Sequence, residues 1–349
     1  RGMNSLSISA TDQFERAREN VKNFIKASSL NEIIFTRGAT DSINIISNSL
    51  MRKFNGGGQI VITELEHHSN YLPWMKMCDN SNLELKIVPV NENGIIDEKQ
   101  IIDCCNESTK ILAITHMSNV TGQILDIKKI KSNIPDNILV ALDGCQSIAH
   151  SKIDVQDLDC DFLVFSGHKL YGPTGVGVLY GKMDIINQMS PFMGGGEMID
   201  KVTKENFTMN KAPWKFEAGT PQICQVIALK SAIEYLEKIG IDNINNYEQQ
   251  LFDYARSKLR NIDSIEFYNP NQNNGPILTY NFENVNSYDY TKILDTMNIA
   301  IRSGHHCAQP LHKCLNISSS NRLSLSFYNT NEEIDLFISA TKKALKILQ

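Results

Sequence analysis

The chain has 349 residues, 42% hydrophobic and 21% charged, with a net charge of −5. That length suggests two domains, and the balance excludes long disorder. No block of like charges and no long apolar run is present, so neither a nucleic-acid partner nor a membrane partner is expected.

The sequence shows no charged-then-apolar leader pattern, and it opens Arg1-Gly2-Met3 rather than with an initiator Met, so a processed or late-starting chain is expected. Eight cysteines at irregular spacing do not read as a secreted disulfide framework. They suit a reducing compartment, the cytoplasm or, in a eukaryote, a plastid stroma.

Through the first two thirds, apolar β-rich runs alternate with amphipathic stretches. Strands are predicted at 32–36 (EIIFT), 59–63 (QIVIT), 83–90 (LELKIVPV), 110–115 (KILAIT), 138–143 (ILVALD), 161–165 (DFLVF) and 175–180 (GVGVLY). Helical patterns cover 12–27, 41–52, 68–78 and 127–132. This is the signature of an α/β fold, a mainly parallel seven-stranded sheet covered on both faces. The GVGVLY run follows its predecessor too closely for a helical crossover and is expected to be antiparallel.

Pro221 and Gly240 bracket a helix over 221–239. The domain boundary is placed there, giving a large α/β domain over 1–240 and a small α+β domain over 241–349. The small domain should hold helices at 244–260 and 331–347, and strands near 264–268, 276–282, 299–302 and 322–327.

Ligands of open parallel sheets sit at the carboxyl ends of strands. Asp143 ends ILVALD, and Lys169 follows DFLVFSGH. An arbitrary Asp and Lys would more often be a helix cap and a surface amine. Here they suit pyridoxal phosphate (PLP), the amine as attachment point and the carboxylate on the pyridinium nitrogen. Ser166 and His168 are placed to bind a phosphate, and Gln146 to reach the cofactor phenolate. Ala39 and Thr40 lie at a strand-to-helix turn that can bind an anion. His67 follows a strand and can stack on a flat ring or move protons.

The run RSGHHCAQP (302–310) sets Cys307 beside His305, His306 and Arg302, cationic surroundings that favour a thiolate. A zinc site of His305, Cys307, His312 and Cys314 is an alternative, though no paired-cysteine spacing supports it. Arg322 opens RLSLSF and suits a bidentate carboxylate contact.

The segments 64–74 (ELEHHSNYLPW), 143–148 (DGCQSI), 161–181 (DFLVFSGHKLYGPTGVGVLYG), 216–221 (FEAGTP), 302–311 (RSGHHCAQPL) and 327–333 (FYNTNEE) resemble the group II, SUF-type cysteine desulfurases. These are class V aminotransferase-like, fold-type-I PLP enzymes. The resemblance runs over essentially the whole chain. It implies Lys169 as the Schiff-base lysine, Cys307 as the persulfide carrier and His67 stacked on the cofactor ring. By the same resemblance Asp143 meets the ring nitrogen and Gln146 the phenolate oxygen, while Ala39, Thr40, Ser166 and His168 hold the phosphate. Asn119 and Arg322, with Arg302 nearby, would bind the substrate carboxylate, and Asn119 also borders the cofactor.

Gly219 and Thr220 would reach the cofactor phosphate of a partner subunit, making the active unit a homodimer. The implied reaction is L-cysteine to L-alanine, with the sulfur passed from Cys307 to an acceptor protein of iron–sulfur assembly. Selenocysteine lyase or another class V PLP activity is the nearest alternative, followed by a zinc-binding module or an inactive scaffold. Relatives usually carry a further segment before the stretch matching RGMNSLS, including a loop that closes over the site, and this chain is expected to lack it. The span 302–322 is short and carries Pro310, so an ordered loop is expected rather than a swinging arm.

Overall fold

The structure, a computed structural model, describes residues 2–54, 56–269 and 273–348. The first two thirds build seven strands: β1 (Ile33–Thr36), β2 (Gly58–Thr63), β3 (Leu83–Val88), β4 (Thr109–Thr115), β5 (Leu139–Asp143), β6 (Phe162–Ser166) and β7 (Gly177–Gly181). They form one sheet in the order β1-β7-β6-β5-β4-β2-β3. Neighbours from β6 to β3 are parallel, and β7 runs antiparallel to both β6 and β1. The strand interiors are nearly all buried because helices cover both faces.

Those helices are α1 (Ser5–Phe24), α2 (Ala39–Met51), α3 (Leu72–Asp79), α4 (Glu98–Cys104), α5 (Ile127–Lys131), α6 (Met183–Gln188) and α7 (Ile223–Ile239). Phe14, Ala17, Arg18 and Val21 form the buried stripe of α1, at helical spacing. The sequence pattern missed the short α4 and α6. A capping box between Asp97 and Gln100 starts α4, and that signal was present. An exposed hairpin of β8 (Ile199–Val202) and β9 (Phe207–Met209) was also not foreseen.

Gly240 has φ +90, which a side chain would resist. It ends α7 and directly starts α8 (Ile241–Leu259), three residues earlier than expected. The remaining elements are β10 (Ile265–Phe267), β11 (Ile277–Phe282), α9 (Ser287–Asp295), β12 (Arg302–Gly304), α10 (Gln309–Cys314), β13 (Ser320–Ser324) and α11 (Asn331–Leu348). Their strands pair antiparallel in the order β10-β11-β13-β12. Both β12 and β13 are displaced from their expected positions, because pairing is fixed by Arg302 opposite Arg322 and Gly304 opposite Ser320. The apolar run after Ser324 instead turns, with Ser326 N donating to Asn329 Oδ1.

Two apolar clusters flank the large sheet, and a third lies under the small one, built from residues between Leu251 and Leu345. Ile241 and Ile244 of α8 pack with the large sheet, so the core divides within α8. Ala308 and Leu311 also join the large sheet's cluster, although β12 before them belongs to the small sheet. Burying Leu311 contributes about 2 kcal/mol and draws the loop before α10 onto the large domain.

Candidate active site

Gly177 on β7 faces Gly38, and a Cβ on Gly177 would meet the Gly38 backbone at 2.4 Å. This close approach sets the turn after β1, and with it Ala39 and Thr40, beside the ends of β6 and β7. The Ala39 amide donates to Ser166 Oγ at 2.9 Å, and Thr40 Oγ1 lies 2.6 Å from Ser69 Oγ. Ala39, Thr40, Ser166 and His168 thus form one polar end of a cavity of about 240 Å³. The start of α2 favours an anion there.

Asp143, Gln146 and Lys169 line the same cavity from the ends of β5 and β6, and His67 and Asn119 from the ends of β2 and β4. Asp143 Oδ1 accepts from the Cys145 amide at 2.9 Å. Burial beside Asp143 pushes the Cys145 thiol well up, so it stays protonated. Lys169 makes no ion pair among the described residues. Its pKa is lowered by burial and by Arg322, against the opposing pull of Cys145 and Asp143. Its neutral, nucleophilic amine is therefore more populated than that of a surface lysine.

His67 Nδ1 accepts from the Ser69 amide at 3.1 Å, so the neutral ring carries its proton on Nε2. Burial lowers the His67 pKa, Asp143 opposes that, and Lys169 adds to it. Glu66, which sequence reasoning passed over, anchors this corner. It accepts from Thr63 Oγ1 at 2.7 Å, Asn70 Nδ2 at 2.6 Å and the Thr115 amide at 3.1 Å, tying β2 to β4 and to the turn before α3. Burial outweighs these donors and raises the Glu66 pKa to about 8.

Arg302 closes the cavity wall, and its Nη2 lies 3.8 Å from Cys307 Sγ. Asn119 Nδ2 donates to His306 O at 2.7 Å, and Arg322 Nη1 donates to Asn119 O at 2.9 Å. Arg322 Nε is buried with no partner among the described residues. Burial and Arg302 push the Arg322 pKa down to about 10, with Cys307 opposing. A guanidinium so placed is still cationic and is under-satisfied, which suits an incoming carboxylate. His306 and Cys307 both have left-handed backbones, φ +51 and +58. Two such residues in succession cost about 1–3 kcal/mol each and persist only where the surroundings fix them.

The donor set fits PLP: an anion end, a carboxylate, a flat imidazole and an unpaired amine face one cavity. Gly219 and Thr220 do not line it. Thr220 instead lines a neighbouring cleft with Arg37 and Asp41. Arg18 on α1, also passed over, fixes that loop. It holds Glu217 through two bonds of 2.8 and 3.0 Å, while Glu217 accepts from the Phe35 amide. An arginine on an otherwise apolar helix stripe was the available signal. For zinc, no group of three or more His, Cys, Asp or Glu among the described residues is arranged to hold a metal. His312, one of the four proposed ligands, turns instead to Ser320 and Ala308.

Residues 1–337 match the family described as aminotransferase class-V. A probable cysteine desulfurase of Staphylococcus aureus is 45% identical over 346 residues, 98% of this chain and 84% of its own length. The cysteine desulfurase of Wigglesworthia glossinidia brevipalpis is 43% identical over 353 residues, 100% of this chain and 86% of its own. Among solved structures, the cysteine desulfurase CsdA (S-sulfonic acid) from Escherichia coli superposes with a TM-score of 0.94 at 34% identity, covering 100% of this chain and 88% of that one. The apo cysteine desulfurase of Thermococcus onnurineus gives 0.96 at 33%, covering 100% and 87%.

Proposed function

The chain belongs to the aminotransferase class-V family, and from that premise we propose that it is a PLP-dependent cysteine desulfurase. It converts L-cysteine to L-alanine and keeps the sulfur as a persulfide on Cys307. The observation that carries this reading is a single cavity faced by Lys169, Asp143 and His67, whose wall residue Arg302 reaches Cys307 Sγ at 3.8 Å.

PLP, when bound, supplies an electron sink for charge developing at the substrate Cα. Lys169 is its attachment point, with Asp143 and Gln146 on the ring and Ala39, Thr40, Ser166 and His168 on the phosphate. Arg322 and the Asn119 side chain take the substrate carboxylate and so orient the Cα–H bond. The neutral Lys169 amine, once free, accepts the Cα proton. Cys307 then attacks the substrate sulfur: the new S–S bond forms as the substrate C–S bond breaks, and the carbon keeps that electron pair and takes up a proton on the way to alanine. Arg302, with Nη2 3.8 Å from Cys307 Sγ, faces the attacking sulfur. His67 donates through Nε2–H and is suited to managing the substrate thiol proton.

The sulfur then leaves Cys307 for an acceptor protein of iron–sulfur assembly. A short, ordered loop cannot carry it outward, so basal turnover should be low and rise with an acceptor that brings its own thiolate. Gly219 and Thr220 sit outside their own cavity, which supports a homodimer in which they serve the partner's phosphate. Eight free cysteines support a reducing, cytoplasmic setting. No helix among the described residues is long and apolar enough to cross a membrane.

The test is a visible spectrum and alanine release with L-cysteine. A yellow protein that releases alanine and labels Cys307 with sulfur is expected. A colourless protein, or one that releases alanine with no sulfur on Cys307, overturns the reading. A monomeric variant that holds PLP as tightly as the parent would refute the shared site.

A further inference from the structure

Cys307 is held in place by residues that do not face the cavity. His306 Nε2 lies 3.1 Å from the Ser320 carbonyl oxygen and 3.0 Å from Ser320 Oγ. His312 Nε2 lies 2.9 Å from the same Oγ, and His312 Nδ1 lies 3.0 Å from Ala308 O. All three side chains are almost fully buried.

The proton positions follow from these partners. A carbonyl oxygen only accepts, so His306 carries its proton on Nε2 and His312 on Nδ1. His312 Nε2 is then an acceptor, and the Ser320 hydroxyl donates to it while accepting from His306. The chain of donors runs His306 to Ser320 to His312 to Ala308 O. It requires the His312 ring to be neutral, since its Nε2 accepts while its Nδ1 donates. Burial and Arg322 push His306 down to about 3, and burial also lowers His312.

The residues on either side of Cys307 are thus both tied to one serine on β13. A third tie comes from the large domain, where the His68 amide donates to Cys307 O at 2.8 Å. This explains how two successive left-handed residues persist: the backbone is fixed on three sides while Sγ is left facing Arg302. Arg322, the proposed carboxylate residue, stands two positions beyond Ser320 on the same strand.

We infer that His306, Ser320 and His312 are positioning residues that lock the nucleophilic thiol in register with the substrate site. The inference rests on the reading of Cys307 as the persulfide carrier. The lock fixes the distance between the attacking sulfur and a substrate whose carboxylate is held from the same strand.

The test uses the full cofactor-loaded chain and the variants Ser320→Ala, Ser320→Thr, His312→Met and His312→Gln. Alanine release gives kcat and KM, and iodoacetamide labelling is read at Cys307 by peptide mass, with exposed Cys224 as internal reference. Ser320→Ala and His312→Met should lower kcat by about tenfold to a hundredfold, the cost of misplacing a reacting atom. KM and the cofactor band should stay unchanged, and Cys307 should label several times faster relative to Cys224.

Ser320→Thr and His312→Gln, which retain a hydroxyl and an acceptor, should recover most of the loss. Parent-like kcat and labelling in Ser320→Ala and His312→Met overturn the lock. So do equal losses in the conservative and apolar variants, or losses accompanied by a lost cofactor band. Failure of the desulfurase reading looks different: Cys307→Ala would then release alanine at the parent rate, while the labelling arm would still report on the lock.

Discussion

Lys169 follows a five-residue strand paired on both sides, whereas Cys307 sits between a three-residue strand and a six-residue helix, on a left-handed backbone. The lysine side of the site is a floor, made reactive by burial, which lowers the pKa of its amine. The cysteine side is a lip, where the backbone is pinned in a left-handed turn and Arg302 Nη2 lies 3.8 Å from the Cys307 sulfur. A floor residue is hard to move and easy to retune electrostatically, while a lip residue is easy to move. Substitutions on the two sides should therefore separate cofactor chemistry from sulfur transfer.

The sharpest separation comes from the two reactive side chains. On the proposed reading Lys169→Ala removes both the attachment point and the base, so alanine release should fall below detection with the fold kept, as circular dichroism would record. Normal release would refute the floor assignment. Cys307→Ser should abolish sulfur transfer from cysteine while leaving the visible cofactor band intact. Sulfur transfer at the parent rate in that variant would make the thiol structural and erase the contrast. A middle-sized effect is expected where floor and lip meet. Arg322→Lys keeps the charge and loses the planar fork, so KM for cysteine should rise roughly thirtyfold, about 2 kcal/mol, with kcat less affected. An unchanged KM would remove Arg322 from the carboxylate site.

How well each region could be read in advance follows the same division. The floor was legible because strand interiors buried on both faces must be apolar, and their polar ends then stand out: Asp143 after ILVAL and Ser166 after DFLVF. The antiparallel β7 was legible from connection length alone. The lip was legible as a motif but not as a geometry. Strands β12 and β13 are short and half-exposed, so their register rests on pairing that no local pattern reveals. Pairings between distant residues were missed for the same reason. Arg18 meets Glu217 across 199 positions, and His306 meets Ser320 across 14, neither at a local spacing. Glu66 stood beside His67 in the sequence, but its value lies in the Thr115 amide, 49 residues away.

The smallest expected effect is on stability, and it compares one buried histidine from each side. His116 on the floor is buried with Nδ1 3.0 Å from Ser147 Oγ, and burial lowers its pKa to about 4. His306 on the lip falls to about 3. Below pH 6.5 the unfolded chain binds a proton at each site that the folded chain refuses, so stability is present at neutral pH and drains away as pH falls. For His116 the window runs from about 6.5 down to about 4, and at pH 5 the loss is about 2 kcal/mol. His306 adds a similar loss at pH 5, and its window extends about one unit lower. Urea unfolding at pH 7 and pH 5 measures both. His116→Asn costs some stability at pH 7 through the lost ring, but its drop between the two pH values should be about 2 kcal/mol smaller than the parent's. An identical drop in parent and variant would mean that His116 is charged in the folded protein. The floor would then be more open to water than its buried strands imply, and its contrast with the lip would fail at the level of solvation.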